Sequence, residues 1–285
     1  MFQLVFIKFK INILELNKII LIRVLYLIYN KQIKLRFLFY IFLSIISTLN
    51  WGSTAHRAMS EVASFYLTEN ANNKINEILD GETIVTVSTY ADDIKSDSRY
   101  DKYYNWHFIN MELDEDYEDT VPSEKGDLFI AINRCLDILE SDSATDSERS
   151  FYLKLLIHFI GDLHQPMHIG RYEDRGGNRI YVKWFGRNSN LHRVWDSDMI
   201  NGYNMSYTEL AKNLPTPEKL EIEFERDDLI DWVNEVHSYT RKIYNDVSVN
   251  DNLGYEYQYE NFQTVRDLLL IGGLRLASVL NYLFD

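Results

Sequence analysis

Apolar and polar positions alternate with a helical period through most of the chain. Stretches 55–66, 87–96, 128–139, 148–163, 229–244 and 264–282 place apolar residues three and four apart, which gives a helix one buried stripe. Ser53/Thr54 and Ser147 stand where a hydroxyl can accept from the first free amides of a helix, so they are the expected N-caps. Gly176-Gly177-Asn178 followed by 179–185 breaks the pattern, with the period-two alternation of a short strand and the turn residues of a β-hairpin. Residues 112–118 are acidic and read as a solvated loop. From residue 51 onward no repeat, low-complexity tract or Pro/Gly/Ser linker appears, so 51–285 reads as one mainly α domain.

The first fifty residues follow a different pattern. An uncharged run at 37–49 comes after Lys31, Lys34 and Arg36. A basic segment before an apolar stretch of that length is the layout of an export signal, whereas a spanning helix needs about 20 apolar residues. Residues 1–50 are therefore expected to be a signal peptide or N-terminal extension that is removed, leaving a secreted or periplasmic protein. Asn50 is a poor cleavage residue, and residues 11–30 are apolar despite Glu15, Lys18 and Arg23, so a membrane anchor is the competing reading.

Composition narrows the function. At 46% hydrophobic and 25% charged, the 285 residues describe a globular chain. The lone Cys135 excludes an intrachain disulfide and a thiolate metal cluster. The formal charge is −14; the first fifty residues hold seven of the 29 basic and one of the 43 acidic residues, so 51–285 carries −20. That excludes binding of duplex nucleic acid through a broad basic surface. It leaves a nucleic-acid substrate open if metals supply the positive charge.

Six of the seven histidines fall in or beside three motifs. His158 and Asp162 are four apart and share a helix face, and Pro166 should end that helix and swing His168 back toward them. His192 and Asp196 repeat the spacing, Asp92 and His107 form a third set, and His56 stands near the start. A single His–Asp pair is ordinarily a solvated contact. Several in one domain point to a multinuclear site, because imidazole and carboxylate are ligands that zinc accepts. The seventh, His237, belongs to a helical stretch and should pack or face solvent.

These residues resemble a known family. Trp51 and His56 with four residues between, Ala91-Asp92, His107-Phe108, the run from His158 through Asp162, His164, Gln165 and Pro166 to His168, Gly176-Gly177-Asn178, and Asn190 through His192 to Asp196 look like the nuclease S-one/P-one family of zinc-dependent single-strand-specific nucleases. The resemblance implies a single-domain, multi-helix phospholipase C/P-one nuclease-like fold with a short hairpin and three Zn2+. It implies that Asp92, His107, His158 and Asp162 hold one ion and that His168, His192 and Asp196 hold a second. The α-amino group and carbonyl of Trp51 with His56 and the bridging Asp162 would hold the third, which requires cleavage between Asn50 and Trp51.

In the same way Asp162 and Lys95 are the expected catalytic groups. Lys95 would lie near the phosphate, Phe108 would stack a base or pack in the core, and Asn110 stands where several fungal members have Asp. His164 is expected to be structural. The implied activity is endonucleolytic hydrolysis of single-stranded DNA and RNA to 5′-phosphorylated products, with 3′-nucleotidase activity as a possible extension. The protein is expected to be a monomer with no stable membrane association after cleavage. The rivals are a zinc-dependent phospholipase C, whose last motif closes with Glu where this chain has Asp196, and a non-catalytic exported zinc-binding protein.

Overall fold

In the computed structural model, which describes residues 52–285, the chain opens with helix α1 (Ser53–Ser64). The expectations for 1–51, covering the export segment and Trp51, lie outside the described residues. Gly52 is the N-cap of α1 and makes no side-chain cap, so Ser53 and Thr54 belong to the helix itself. Helix α2 (Glu69–Ile78) had no apolar stripe to announce it; it buries only Ala71 and Ile75 and starts on the Thr68 hydroxyl, which accepts from Ala71 N. The expected helix at 87–96 is instead three short pieces: α3 (Ile84–Val87), α4 (Tyr90–Asp93) and a 3₁₀ turn at Ile94–Ser96. Ile-Val-Thr-Val is β-branched throughout, a composition that weakens helix propagation. A longer 3₁₀ segment, Ser98–His107, leads into strand β1 (Ile109–Asn110).

Residues 112–118 are mostly exposed, although Tyr117 turns inward and its hydroxyl donates to Asp127. Helix α5 (Leu128–Glu140) then packs on α6 (Asp146–Leu163), whose last eleven residues are buried except at Lys154. The N-cap of α6 is Thr145, not Ser147: its hydroxyl accepts from Glu148 N, and Glu148 returns a carboxylate to Thr145 N at 3.0 Å. That reciprocal pair satisfies two amides at once.

After a 3₁₀ turn at Pro166–His168, strand β2 (Ile169–Gly170) runs parallel to β1, pairing Ile109 with Ile169. Strands β3 (Tyr181–Trp184) and β4 (Arg187–Asn190) form the hairpin, which turns at Phe185-Gly186 instead of the earlier Gly176-Gly177. Both turn residues have positive φ, +49° and +75°, as a two-residue hairpin turn demands. Helix α7 (Leu191–Arg193) continues into a π-helical turn at Val194–Asp198, so the segment carrying His192 and Asp196 is wider than the α-helix its spacing implied.

Short helices α8 (Met199–Gly202) and α9 (Tyr207–Lys212) precede the long α10 (Asp228–Asp246). Strand β5 (Asn252–Leu253) pairs with β3 ahead of the thirty-residue α11 (Tyr255–Phe284). By length and composition α11 could cross a bilayer, but its apolar residues are largely buried and it lies along α1. The described residues form a mainly α unit around one contiguous core.

Candidate metal centre

Helix α6 supplies His158 and Asp162 one turn apart, both fully buried. Pro166 cannot continue the helix, and the 3₁₀ turn it opens carries His168 back beside them. The β1–β2 ladder holds this turn against the segment bearing His107: His168 Nδ1 donates to the backbone carbonyl of His107 at 2.8 Å. Helix α4 contributes Asp92, α1 contributes His56, and α7 with its π turn contributes His192 and Asp196.

Three groups of donor atoms result, each within 4.8 Å of one another: Asp92, His107 and His158; His56, His158 and Asp162; and His168, His192 and Asp196. Asp162 is the hub. Its Oδ2 lies 2.8 Å from His107 Nδ1 and 3.1 Å from His158 Nε2, and its Oδ1 lies 3.2 Å from His168 Nδ1 and 3.4 Å from His56 Nε2.

The imidazoles are oriented from behind. His158 Nδ1 donates to Ser88 O at 2.7 Å and His192 Nδ1 to Gly176 O at 2.8 Å, as His168 does to His107 O. A carbonyl can only accept, so each of these rings carries a proton on Nδ1 and turns its Nε2 the other way. The Gly176 carbonyl is available because that residue has φ +59° and lies against Met167: a Cβ there would sit 2.2 Å from Met167 O. Gln165, also fully buried, donates from Nε2 to Asp196 Oδ1 at 3.1 Å.

The charge state fits cation binding. Asp162 and Asp196 are fully buried carboxylates, and Asp162 Oδ1, Asp196 Oδ2 and His158 Nε2 make no hydrogen bond. Buried carboxylates need a compensating charge, and acceptors facing one another need a cation between them. Burial would raise the pKa of Asp162, but His158 and His168 hold it well below the carboxylate range. For Asp196 burial prevails and raises the pKa. Burial, then the charge of His158, drops His56 to about 4; burial, then Lys95, drops His107 to about 3; burial also lowers His192. These three are held as neutral donors, the form that a metal would take. Burial opposes protonation of His168 too, but Asp162 overcomes it and lifts the pKa to about 10; His158 is raised for the same reason. A divalent ion would replace those protons.

The remaining predicted residues lie around this centre. Lys95 Nζ pairs with Asp92 Oδ1 at 2.8 Å and lines a narrow cleft with His107. Phe108 is half-buried, outside the core, and meets Tyr104 edge-on. Asn110 is exposed on β1. His164 turns away: Nδ1 donates to Ile160 O at 2.7 Å and Nε2 faces Arg275 Nη1 at 3.2 Å, with Arg275 paired to Glu235. His237 is fully buried on α10. Ser88, Gln165, Arg275 and Gly161, which packs on His56, were not singled out by sequence. Only Gln165 had a signal, its position between two proposed ligands; the others act through backbone, absence of a side chain, or distant contact.

The family model described as S1/P1 Nuclease matches residues 51–285. Endonuclease 4 of Arabidopsis thaliana is 28% identical over 276 residues, covering 83% of this chain and 90% of the relative. Nuclease S1 of Aspergillus oryzae is 30% identical over 182 residues, 59% of this chain and 62% of the relative. Nuclease P1 of Penicillium citrinum is 31% identical over 173 residues, 56% and 63% respectively.

Proposed function

Given that the chain belongs to the S1/P1 nuclease family, we propose that it is a zinc-dependent endonuclease that hydrolyses single-stranded DNA and RNA to 5′-phosphorylated products, with 3′-nucleotidase activity at the same site. The observation that carries this reading is the assembly of three His/Asp donor groups, two sharing His158 and the third reaching Asp162 through His168, with Phe108 following directly on His107.

Asp92, His107, His158 and Asp162 would hold one Zn2+ and His168, His192 and Asp196 another. His56, Asp162 and the terminal amine and carbonyl of Trp51 would hold the third. Gly52 N donates to Asp196 O at 2.8 Å, which supports a ligand from the preceding residue. That ligation requires removal of residues 1–50, as an export signal would be removed from a secreted or periplasmic protein; we further propose that the protein is a monomer without stable membrane association. Bound zinc supplies Lewis acidity, which makes water acidic near neutral pH and offsets phosphate charge.

The protein's own groups do the rest. The backbone-anchored histidines keep Nε2 aimed inward, so the site needs little rearrangement to react. Asp162 Oδ1, buried and without a hydrogen bond, is placed to serve as a metal ligand and so to fix where the attacking water would be held. Lys95 Nζ, one turn after Asp92, is placed to donate to a phosphate oxygen as negative charge builds there. Phe108 offers a face to a splayed base, which a stacked duplex does not present.

The test incubates purified, zinc-loaded protein with single-stranded DNA, RNA, duplex DNA and phosphatidylcholine, with and without chelator. Chelator-sensitive cleavage of single strands is expected. Cleavage of phosphatidylcholine alone would make it a phospholipase, and no cleavage at all would make it a zinc-binding protein.

A further inference from the structure

The 3₁₀ segment Ser98–His107 carries three tyrosines with different surroundings. Tyr100 stacks on Phe151 with centroids 5.9 Å apart, and Tyr103 meets Phe151 at 5.4 Å and Trp106 at 4.8 Å. Tyr104 points outward. It is 61% exposed and, like Phe108, has no place in the core. Its ring meets that of Phe108 with centroids 6.2 Å apart and planes at 78°. With Tyr104 exposed and Phe108 half-buried, both rings keep a face open beside the donor groups, where a ligand could cover them.

Tyr104 also lines the narrow cleft that contains Lys95 and His107. At about 20 Å³ that cleft admits no more than a water-sized group, so a base cannot enter it. A base can lie only on the outer ring surfaces. Two rings at right angles form a corner in which a flat base stacks on one and meets the other edge to face, both favourable arrangements. On the nuclease reading Lys95 would meet the phosphate at the mouth of this cleft, and the outer faces of Phe108 and Tyr104 would be left to the base.

We infer that Tyr104 is the second wall of a nucleobase subsite and strengthens the preference for unpaired over paired strands. The inference rests on the nuclease reading for its ligand. Stacking is tolerant of base identity, so the subsite accepts all four bases and discriminates against abasic and stacked ones.

The test measures fluorescence anisotropy of two phosphorothioate-linked strands on zinc-loaded protein, one of thymidines and one of abasic sugars. Loss of one base–aromatic stack, about 1–3 kcal/mol, corresponds to about five- to 150-fold in affinity. Tyr104→Ala should therefore cut the preference for the thymidine strand over the abasic one by that factor. Tyr104→Phe should keep it, because the ring and not the hydroxyl makes the contact. Tyr259→Ala, at a tyrosine 85% exposed elsewhere on the protein, should leave it unchanged. An unchanged preference in Tyr104→Ala, an equal loss in Tyr104→Phe, or a wild-type protein with no preference would overturn the assignment. If the wild type shows the preference but cleaves no ordinary strand, the nuclease reading fails while the subsite stands.

Discussion

Gly161 lies on α6 beside Asp162, and a methyl group there would sit 2.5 Å from His56 Nδ1 and 2.8 Å from His56 Cε1. Ordinary contact begins near 3.4 Å, so in Gly161→Ala the imidazole must retreat by roughly 1 Å in a close-packed interior. It has nowhere to go. The ring is stacked on His158 at 4.0 Å and 14°, and His158 is tied to the Ser88 carbonyl. Alanine inside a helix normally gains about 1 kcal/mol over glycine, whereas an extra methyl in a packed core costs about 1–3 kcal/mol. The metal-free variant should therefore be destabilised by about 0–2 kcal/mol. A ligand displaced by roughly 1 Å is far outside the ~0.2 Å tolerance of a metal site, so zinc affinity at the His56 group should fall at least about tenfold. Urea unfolding in chelator reads the first quantity and zinc titration against a competing chelator reads the second. A variant with full zinc affinity that also resists urea better than wild type would refute the packing argument.

Gln165→Ala removes the amide that holds Asp196 and should lower zinc affinity or kcat/KM by about 10- to 100-fold, measured by the same titration and by steady-state cleavage. His237 is held neutral, first by burial and then by the charge of Arg241, with its pKa down at about 4. A lowered folded pKa means stability is intact above the unfolded value near 6.5 and lost as pH falls toward 4, by on the order of 3 kcal/mol. Urea midpoints of metal-free protein between pH 7 and 4.5 should fall less steeply in His237→Phe, and parallel slopes would contradict this. Mass spectrometry of exported protein should find Trp51 as the first residue; three bound zinc ions on a chain with residues still preceding Trp51 would exclude ligation by its amine.

Helix existence was legible wherever an apolar stripe was long, as in α5, α6, α10 and α11, because burial against neighbours sets that pattern. It was not legible in α2, which buries two residues and depends on the Thr68 cap. Nor was the break-up of 87–96 visible, since periodicity counts apolar positions and ignores β-branching. The N-cap of α6 could have been read one step better: Thr145 with Glu148 three residues on is a capping pair, and Ser147 has no such partner. The hairpin turn was misplaced because Gly176-Gly177 carries a turn signal for another purpose, presenting a carbonyl to His192.

The residues of the three donor groups were legible because metal chemistry restricts such donors to few residue types, and helices bring those types together at short spacings. What orients them was not, since Ser88 and Gly176 act through carbonyls that any residue owns. The donors come from α1, α4, α6, α7 and the segment before β1, so cations at the centre would cross-link elements spread from residue 56 to residue 196. A lone buried cysteine leaves no disulfide among the described residues to do this. Bound cations would compensate the two fully buried carboxylates, Asp162 and Asp196, so on the proposed reading metal binding would stabilise the fold. On that reading, positive charge concentrated at one place would let an acidic protein approach a polyanion there.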